Sequence, residues 1–408
     1  MEGPVRVGVV GMGGFARTHL GYVEQVVGAG LGVHLGQVVL PADQETFAPQ
    51  TAALRDNKVA IYPSLRDMLA TARQQLDLVC VPVGIPWHRP MVEAVLEAGC
   101  HVLVEKPAAG SVQDIDAMIA AQRRTGGLAA LGFQHLYASG IQRLKDWLCQ
   151  GHLGPLKRAR AAGSWPRPPA YYQRNGWAGR RAVGDAWVLD SPHHNALAHA
   201  VNLLCYLGSL EKGQALSPAR LQGELYRANS IDSADTVCLR MQTEEGVEVF
   251  FAASHCTDRR FDPLFVFEGE RGQLEVAYSG EARVLWGDGR VEELSGDADQ
   301  EREGILEDIC AAIRDKRPLA CPLEVGRAQV VCTCGTFESA PVRDLPAELL
   351  QVQGDEQIVV AKGMTELLQG AFAEGRLFAE MGVDWARPGQ EIDLRDYAYF
   401  PSFRPPVG

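Results

Sequence analysis

No apolar run in this 408-residue sequence approaches the ~20 residues that a membrane-crossing helix requires, so no membrane partner is expected. The opening Met1-Glu2-Gly3-Pro4 passes directly into Val5-Arg6-Val7-Gly8-Val9-Val10. It lacks the basic region, apolar stretch and cleavage site of a secretory leader. An excess of positive charge is also missing. With 39 Lys+Arg against 51 Asp+Glu, the formal net charge is -12, which argues against nucleic acid or an anionic membrane surface as the main partner. A local array of backbone amides can still bind phosphate in an acidic protein. Cysteine is present ten times but without pattern. Only Cys332 and Cys334 are close, and no second pair or histidine cluster sits near them. Reduced, buried thiols are expected, with neither disulfides nor a metal site. These absences together predict a cytoplasmic protein. Internal repeats and low-complexity segments are absent too.

What is there suits a globular protein with a sizeable core: 46% of residues are hydrophobic and 22% charged. The length is too great for one ordinary domain. In the first third, short apolar runs alternate with helical patterns. Val5–Val10, Gly36–Leu40, Leu76–Val83, His101–Val104 and Leu128–Phe133 read as strands. Met91, Val92, Val95 and Leu96 share one helical face, as do Val112, Ile115, Met118 and Ile119. Ser64-x-x-Asp67 and Ser111-x-x-Asp114 have the form of capping boxes. Continuous apolar strands alternating with amphipathic helices predict a parallel, doubly wound sheet, with ligands at the carboxyl ends of its strands. After about residue 150 the pattern changes. Residues 163–187 mix Pro, Trp, Tyr and Arg irregularly, as a long functional loop does. Period-two segments follow at Val237–Met241, Val247–Phe251 and Gln273–Val276, with a hairpin turn at Asp288-Gly289. These predict an antiparallel sheet with one face packed and one open. The division expected is 1–137, 138–345 and a C-terminal extension, 346–408, that packs back on the body.

Gly11-Met12-Gly13-Gly14-Phe15-Ala16 stands directly after the first strand and opens a helix, in the form G-x-G-x-x-A. The first glycine permits the tight turn, the second lets backbone approach a diphosphate, and the small last residue lets helix and strand pack closely. Gly11, Gly13, Gly14, Phe15 and Ala16 are therefore candidate dinucleotide-binding residues. The matching acidic residue for a ribose is Asp43, which a turn role would explain equally well. No Lys or Arg lies between Leu40 and Arg55. The reading leans to NAD, with NADP left open.

The run Cys100-His101-Val102-Leu103-Val104-Glu105-Lys106-Pro107 resembles the E-K-P element of the glucose–fructose oxidoreductase, inositol dehydrogenase and rhizopine-catabolism (Gfo/Idh/MocA) family. Pro82 to His88 resembles that family's P-x-x-x-H stretch. The resemblance extends over roughly residues 5–340. It implies an α/β fold: an N-terminal Rossmann dinucleotide-binding domain followed by an α+β domain with an open-faced antiparallel sheet. It also implies that Lys106 reaches both the substrate hydroxyl and the nicotinamide, while Pro82, His88 and Glu105 shape the cofactor site. An ammonium beside a cationic ring would have a lowered pKa, which suits proton transfer.

The family's D-x-x-x-H motif has two readings in Asp190-Ser191-Pro192-His193-His194-Asn195-Ala196-Leu197-Ala198-His199. Asp190/His194 fits the string, whereas Asn195/His199 fits a helix opening near Pro192 and is preferred. His199 is then the general base, with Asn195 and Asp190 as orienting groups. The stretch Tyr171–Arg180 has aromatic and guanidinium groups that grip sugars, making Tyr172, Arg174, Trp177 and His194 candidate substrate contacts. The expected activity is hydride transfer between nicotinamide and a carbinol carbon of a sugar, polyol or related small polar metabolite. Two alternatives are a cofactor-binding sensor without turnover, and an enzyme that uses NAD transiently in glycosidic cleavage or epimerisation. A homodimer or homotetramer joined through the open sheet face is expected, since exposed apolar surface usually marks an interface.

Overall fold

A computed structural model describes residues 3–294 and 304–401. The chain falls into two compact units. One comprises Met1–Ala109, Asp114–Ala138 and Gln300–Leu323; the other comprises Gly110–Gln113, Ser139–Asp299 and Glu324–Gly408.

In the first unit strands and helices alternate: β1 (Val5–Val10), α1 (Ala16–Gly28), β2 (Gly32–Val38), α2 (Ala48–Asp56), β3 (Ala60–Tyr62), α3 (Leu65–Ala72), β4 (Leu78–Val81), α4 (His88–Glu97), β5 (His101–Val104), α5 (Val112–Thr125) and β6 (Ala129–Leu131). The strands form one parallel sheet in the order β3-β2-β1-β4-β5-β6. Apolar runs such as Leu78–Val81 are buried along their whole length, as a sheet covered on both faces requires. β1 and β5 have the predicted limits. β2 begins earlier than predicted, at Gly32, and the three-residue β3 is too short to show a period. Ser64 caps α3, its Oγ accepting the Asp67 N–H at 3.1 Å. A later helix, α9 (Ile305–Asp315), belongs to this unit and not to the second domain of the linear division. Its buried Ile305, Leu306, Ile309 and Ile313 lie on the face that the sequence marks. The direction in which strands are added reverses between β1 and β4, which is where doubly wound sheets take their ligands.

The second unit holds α6 (Ser139–Cys149), β7 (Leu156–Ser164), the single turn α7 (Pro169–Tyr172), a small hairpin of β8 (Ala182–Val183) and β9 (Ala186–Trp187), and α8 (Ala198–Gly208). There follow β10 (Pro218–Arg227), β11 (Thr236–Thr243), β12 (Glu248–Ser254), β13 (Phe261–Gly269), β14 (Gly272–Ala277), β15 (Ala282–Trp286) and β16 (Val291–Leu294). After α10 (Leu323–Ser339) come β17 (Val342–Asp344), β18 (Leu350–Gln353), β19 (Ile358–Ala361), α11 (Met364–Glu374) and β20 (Ile392–Asp393). The large sheet runs β16-β15-β14-β13-β7-β12-β11-β10-β17 and is mostly antiparallel, with parallel pairs at β7/β12 and β10/β17. The turn at Asp288-Gly289 joins β15 to β16 as predicted, with Gly289 at φ +87°.

The face expected to be open is covered by the chain itself. Ala162, Tyr226, Cys238, Phe250 and Ala252 from the sheet pack with Ala361, Met364, Leu368, Ala371, Leu377 and Phe378 of the C-terminal extension. The face read as open is thus occupied by the chain's own extension at β7 and β10–β12. Along β12, Phe250 and Ala252 meet the extension while Val249 and Phe251 are buried on the opposite side. A strand buried on both faces reads as a continuous apolar run, and Val-Phe-Phe-Ala-Ala is one. Among the described residues no helix is long and apolar enough to cross a membrane.

Candidate active site

In the first unit the loops after β1, β2, β4 and β5 carry the candidate residues, all at the carboxyl edge of the parallel sheet. Gly11 and Gly14 have φ of +90° and +56°, a region that side-chain-bearing residues avoid. Ala16 and Arg17 donate to the carbonyls of Gly13 and Gly14. The amides just before them therefore belong to the helix start, whose N–H groups have no carbonyl of their own helix to bond. Phe47 supports the turn from below, 3.3 Å from where a Cβ on Gly13 would stand. A bare backbone in this conformation at a helix N-terminus fits a dinucleotide diphosphate. Asp43 ends the turn Pro41–Asp43 after β2, and its carbonyl accepts the Phe47 N–H at 3.0 Å.

The E-K-P loop is tied down from two sides. Glu105 is buried and its Oε1 lies 2.8 Å from His19 Nε2 on α1, while its Oε2 accepts the Lys106 N–H at 3.2 Å. A Cβ on Gly132 would stand 2.7 Å from the same carboxylate, so a side chain there would push Glu105 out of this position. His88 is fully buried, with Nδ1 3.0 Å from the Pro107 carbonyl and Nε2 3.0 Å from the Val83 carbonyl. Burial lowers its pKa, and the carbonyl contacts oppose that shift. His88 thus clamps the β4 and β5 loops together. Pro82 is buried directly after β4, and Lys106 remains only partly buried.

In the second unit one member of each rival pair of the D-x-x-x-H region, Asp190 and Asn195, are bonded to each other. Asn195 Nδ2 donates to Asp190 Oδ1 at 2.8 Å. The other carboxylate oxygen accepts the Gly179 N–H at 2.6 Å and lies 3.7 Å from Arg174. The helix α8 opens only at Ala198, so Asn195 sits in an irregular turn and not within the helix as predicted. The physical reason is local: the segment from Ser191 is held by its own turn bonds, such as Leu197 N–H to Pro192 O at 2.7 Å. His199 occupies the first turn of α8 and is half-buried. His194, predicted to touch substrate, is instead fully buried against Thr333 and Gln329 of α10, each 3.1 Å from its Nδ1.

Tyr172 is likewise turned inward, its hydroxyl enclosed without a hydrogen-bond partner. Burial pushes that phenol well up, with Asp235 adding to the effect. Its neighbour Tyr171 takes the place expected of it: the hydroxyl is 3.4 Å from Asn195 Nδ2, and the ring is 3.8 Å from the Arg174 guanidinium. Arg174 also lies 4.9 Å from the Trp177 ring. Sequence reasoning missed Arg167, His19 and His255, and within the Tyr171–Arg180 stretch it singled out Tyr172 instead of Tyr171. Arg167 stands 4.8 Å from the Tyr171 ring, and the His255 ring is 6.0 Å from the same tyrosine. Burial and the nearby guanidiniums hold His255 at about 3. Its Nδ1 donates to the Trp165 carbonyl at 2.8 Å, so Nε2 is an acceptor. The only sequence signal for this group was the interleaving of Trp, Arg and Tyr over residues 165–177.

Residues 5–133 match the description "Oxidoreductase family, NAD-binding Rossmann fold", and residues 141–275 match the "GFO/IDH/MocA C-terminal domain". An inositol 2-dehydrogenase/D-chiro-inositol 3-dehydrogenase of Halalkalibacterium halodurans is 28% identical over 205 residues, 50% of this chain and 52% of that one. A D-glucoside 3-dehydrogenase of Escherichia coli is 27% identical over 154 residues, 38% of this chain and 41% of that one. The chain thus spans about half the length of the curated relatives it matches, or less. Among solved structures, the WlbA dehydrogenase of Bordetella pertussis, in complex with NADH and UDP-GlcNAcA, superimposes with a TM-score of 0.66 at 21% identity. That match covers 82% of this chain and 95% of the other, and at such identity it shows a common fold. With its N-terminal and C-terminal domains each matched by the family's own sequence description, the chain belongs to the Gfo/Idh/MocA family of oxidoreductases.

Proposed function

We propose that the protein is an NAD-dependent dehydrogenase acting on a CH–OH group of a sugar, a polyol or a related polar metabolite. The observation that carries this reading is the E-K-P loop. Its Glu105 and the adjoining His88 are locked in buried contacts, while Lys106 between them is left partly exposed at the carboxyl edge of the NAD-binding sheet. Relatives named for inositol and glucoside dehydrogenation support the substrate class. Bound NAD would supply the hydride acceptor.

The chain's own groups then have distinct tasks. Gly11, Gly13, Gly14, Phe15 and Ala16 hold the diphosphate, and Asp43 the adenosine ribose. Lys106 positions the reacting hydroxyl and moves its proton, and His199 acts as general base. Asp190 and Asn195 orient the substrate, with Tyr171, Arg174 and Trp177 as its aromatic and cationic contacts. Asp190, bonded directly to Asn195, places a carboxylate in this cluster, which supports turnover over a non-turnover sensor.

The test is net NADH formation at 340 nm from NAD and a panel of inositols, aldoses, glucosides and acidic sugars. Wild-type protein should turn over at least one panel member. Lys106→Met should lower kcat by about 10²- to 10⁴-fold, the usual worth of positioned acid–base catalysis, with NAD affinity unchanged. An NAD-binding protein that forms no NADH from any of them contradicts the reading.

A further inference from the structure

Residues 163–184 contain four arginines, Arg167, Arg174, Arg180 and Arg181, and no lysine, aspartate or glutamate, in a chain of net charge -12. Three guanidiniums interleave with three aromatic rings. Arg260 lies 5.1 Å from the Trp165 ring centroid; Arg167 lies 5.6 Å from Trp165 and 4.8 Å from Tyr171; Arg174 lies 3.8 Å from Tyr171 and 4.9 Å from Trp177. Most of these charges are answered. Arg260 meets Asp262 at 3.0 Å, Arg181 meets Asp232 at 2.9 Å, and Arg174 is 3.7 Å from Asp190.

Arg167 differs. Among the described residues it has no carboxylate within ion-pair distance, and its Nε is enclosed without an acceptor. A half-buried guanidinium with an unanswered N–H is costly, and a bound anion would offset that cost. The mount is rigid. Trp165 N–H donates to Ser254 O at 3.2 Å, Arg167 N–H to His255 O at 3.1 Å, and His255 Nδ1 to Trp165 O at 2.8 Å. The segment is thus stitched to the end of β12. His255 is held neutral beside it and adds no competing charge. A guanidinium fixed against aromatic faces suits the planar, two-point recognition of a carboxylate or phosphoryl group.

We propose that Arg167 binds an anionic group of the substrate, so that the substrate is an acidic sugar derivative, a uronate or a sugar phosphate, and not a neutral polyol. This rests on the reading that the Tyr171–Trp177 segment holds the substrate. The test is calorimetric titration of NAD-loaded protein with D-glucuronate, D-glucose 6-phosphate, inorganic phosphate and D-glucose. At least one acidic probe should bind about tenfold or more tighter than glucose, the scale of a charge-assisted contact, and rising salt should weaken it. Which acid is preferred separates carboxylate from phosphate recognition. Arg167→Gln should erase the preference and Arg167→Lys keep part of it. The exposed, Asp232-paired Arg181→Gln should leave it intact, and NAD titration of each variant confirms folding. Equal or tighter binding of glucose, no binding of any acid, or a preference that survives Arg167→Gln overturns the proposal. NADH formation from neutral polyols alone, untouched by Arg167→Gln, would overturn it while leaving the dehydrogenase reading standing. Acid binding that depends on Arg167 without any NADH formation would do the reverse.

Discussion

Glu105 and His19 are 86 residues apart in sequence and 2.8 Å apart in space. The motif around Glu105 could be seen in the sequence because its three residues are adjacent. Its partner could not, because nothing local to His19 distinguishes it from any histidine on a helix. The same limit explains Tyr171 and Tyr172: adjacent and identical in type, they are separated only by which way the single turn Pro169–Tyr172 rotates them. Asp190 and Asn195 fall into rival pairs in the sequence because their spacing of five suits no regular helix face, and an irregular turn brings them together. A long-range pair also sets an acid sensitivity. Asp77 is buried, which raises its pKa, but bonds from the Arg6 side chain and backbone at 2.7–3.0 Å outweigh that and hold it below the usual carboxylate value. A depressed carboxyl contributes stability that is present above its unfolded value, near pH 4, and is lost as pH falls through the folded value. Asp77→Asn should therefore lower Tm at pH 7 and flatten the fall of Tm below pH 4. An acid limb as steep as wild type would contradict this role.

At the scale of elements, β1, β4, β5 and β6 were legible because they are apolar runs buried along nearly all their length, and α3 because Ser64 and Asp67 announce its start. β7 was not anticipated. Leu156–Ser164 alternates basic and small residues, and its partners β12 and β13 begin about 90 and 105 residues later. The extension 346–408 was expected to pack back, yet its target was hidden, since the apolar stripe of Met364, Leu368 and Ala371 on α11 does not say which sheet face it covers. The clue lay in β12 itself, whose Phe250 and Ala252 would be misplaced on an open face. Removing the extension tests the arrangement. A chain ending at Leu345 would expose Tyr226, Phe250 and their neighbours, at roughly 2 kcal/mol for each large apolar side chain. It should bind a hydrophobic dye strongly and aggregate where the full chain does not. A truncated chain that stays dispersed and dye-silent would contradict the covering role.

For the whole molecule, the change of sequence pattern after residue 150 corresponds to a change from a parallel to a mostly antiparallel sheet. The return of 305–315 to the first unit was illegible, because an amphipathic helix carries no label for the sheet it covers. The NAD-binding unit carries one partly exposed lysine on a locked loop, and the other unit a carboxylate–amide cluster with an aromatic–arginine array. On the proposed reading these serve hydride transfer from a carbinol carbon. The most direct measurement follows deuterium from that carbon, using the panel member that is turned over, labelled at the reacting position. Hydride transfer from that carbon puts the label at C4 of the nicotinamide in the released NADH, one deuterium per turnover, with a slowed rate. Product formed with the label kept on the sugar or lost to water would contradict it.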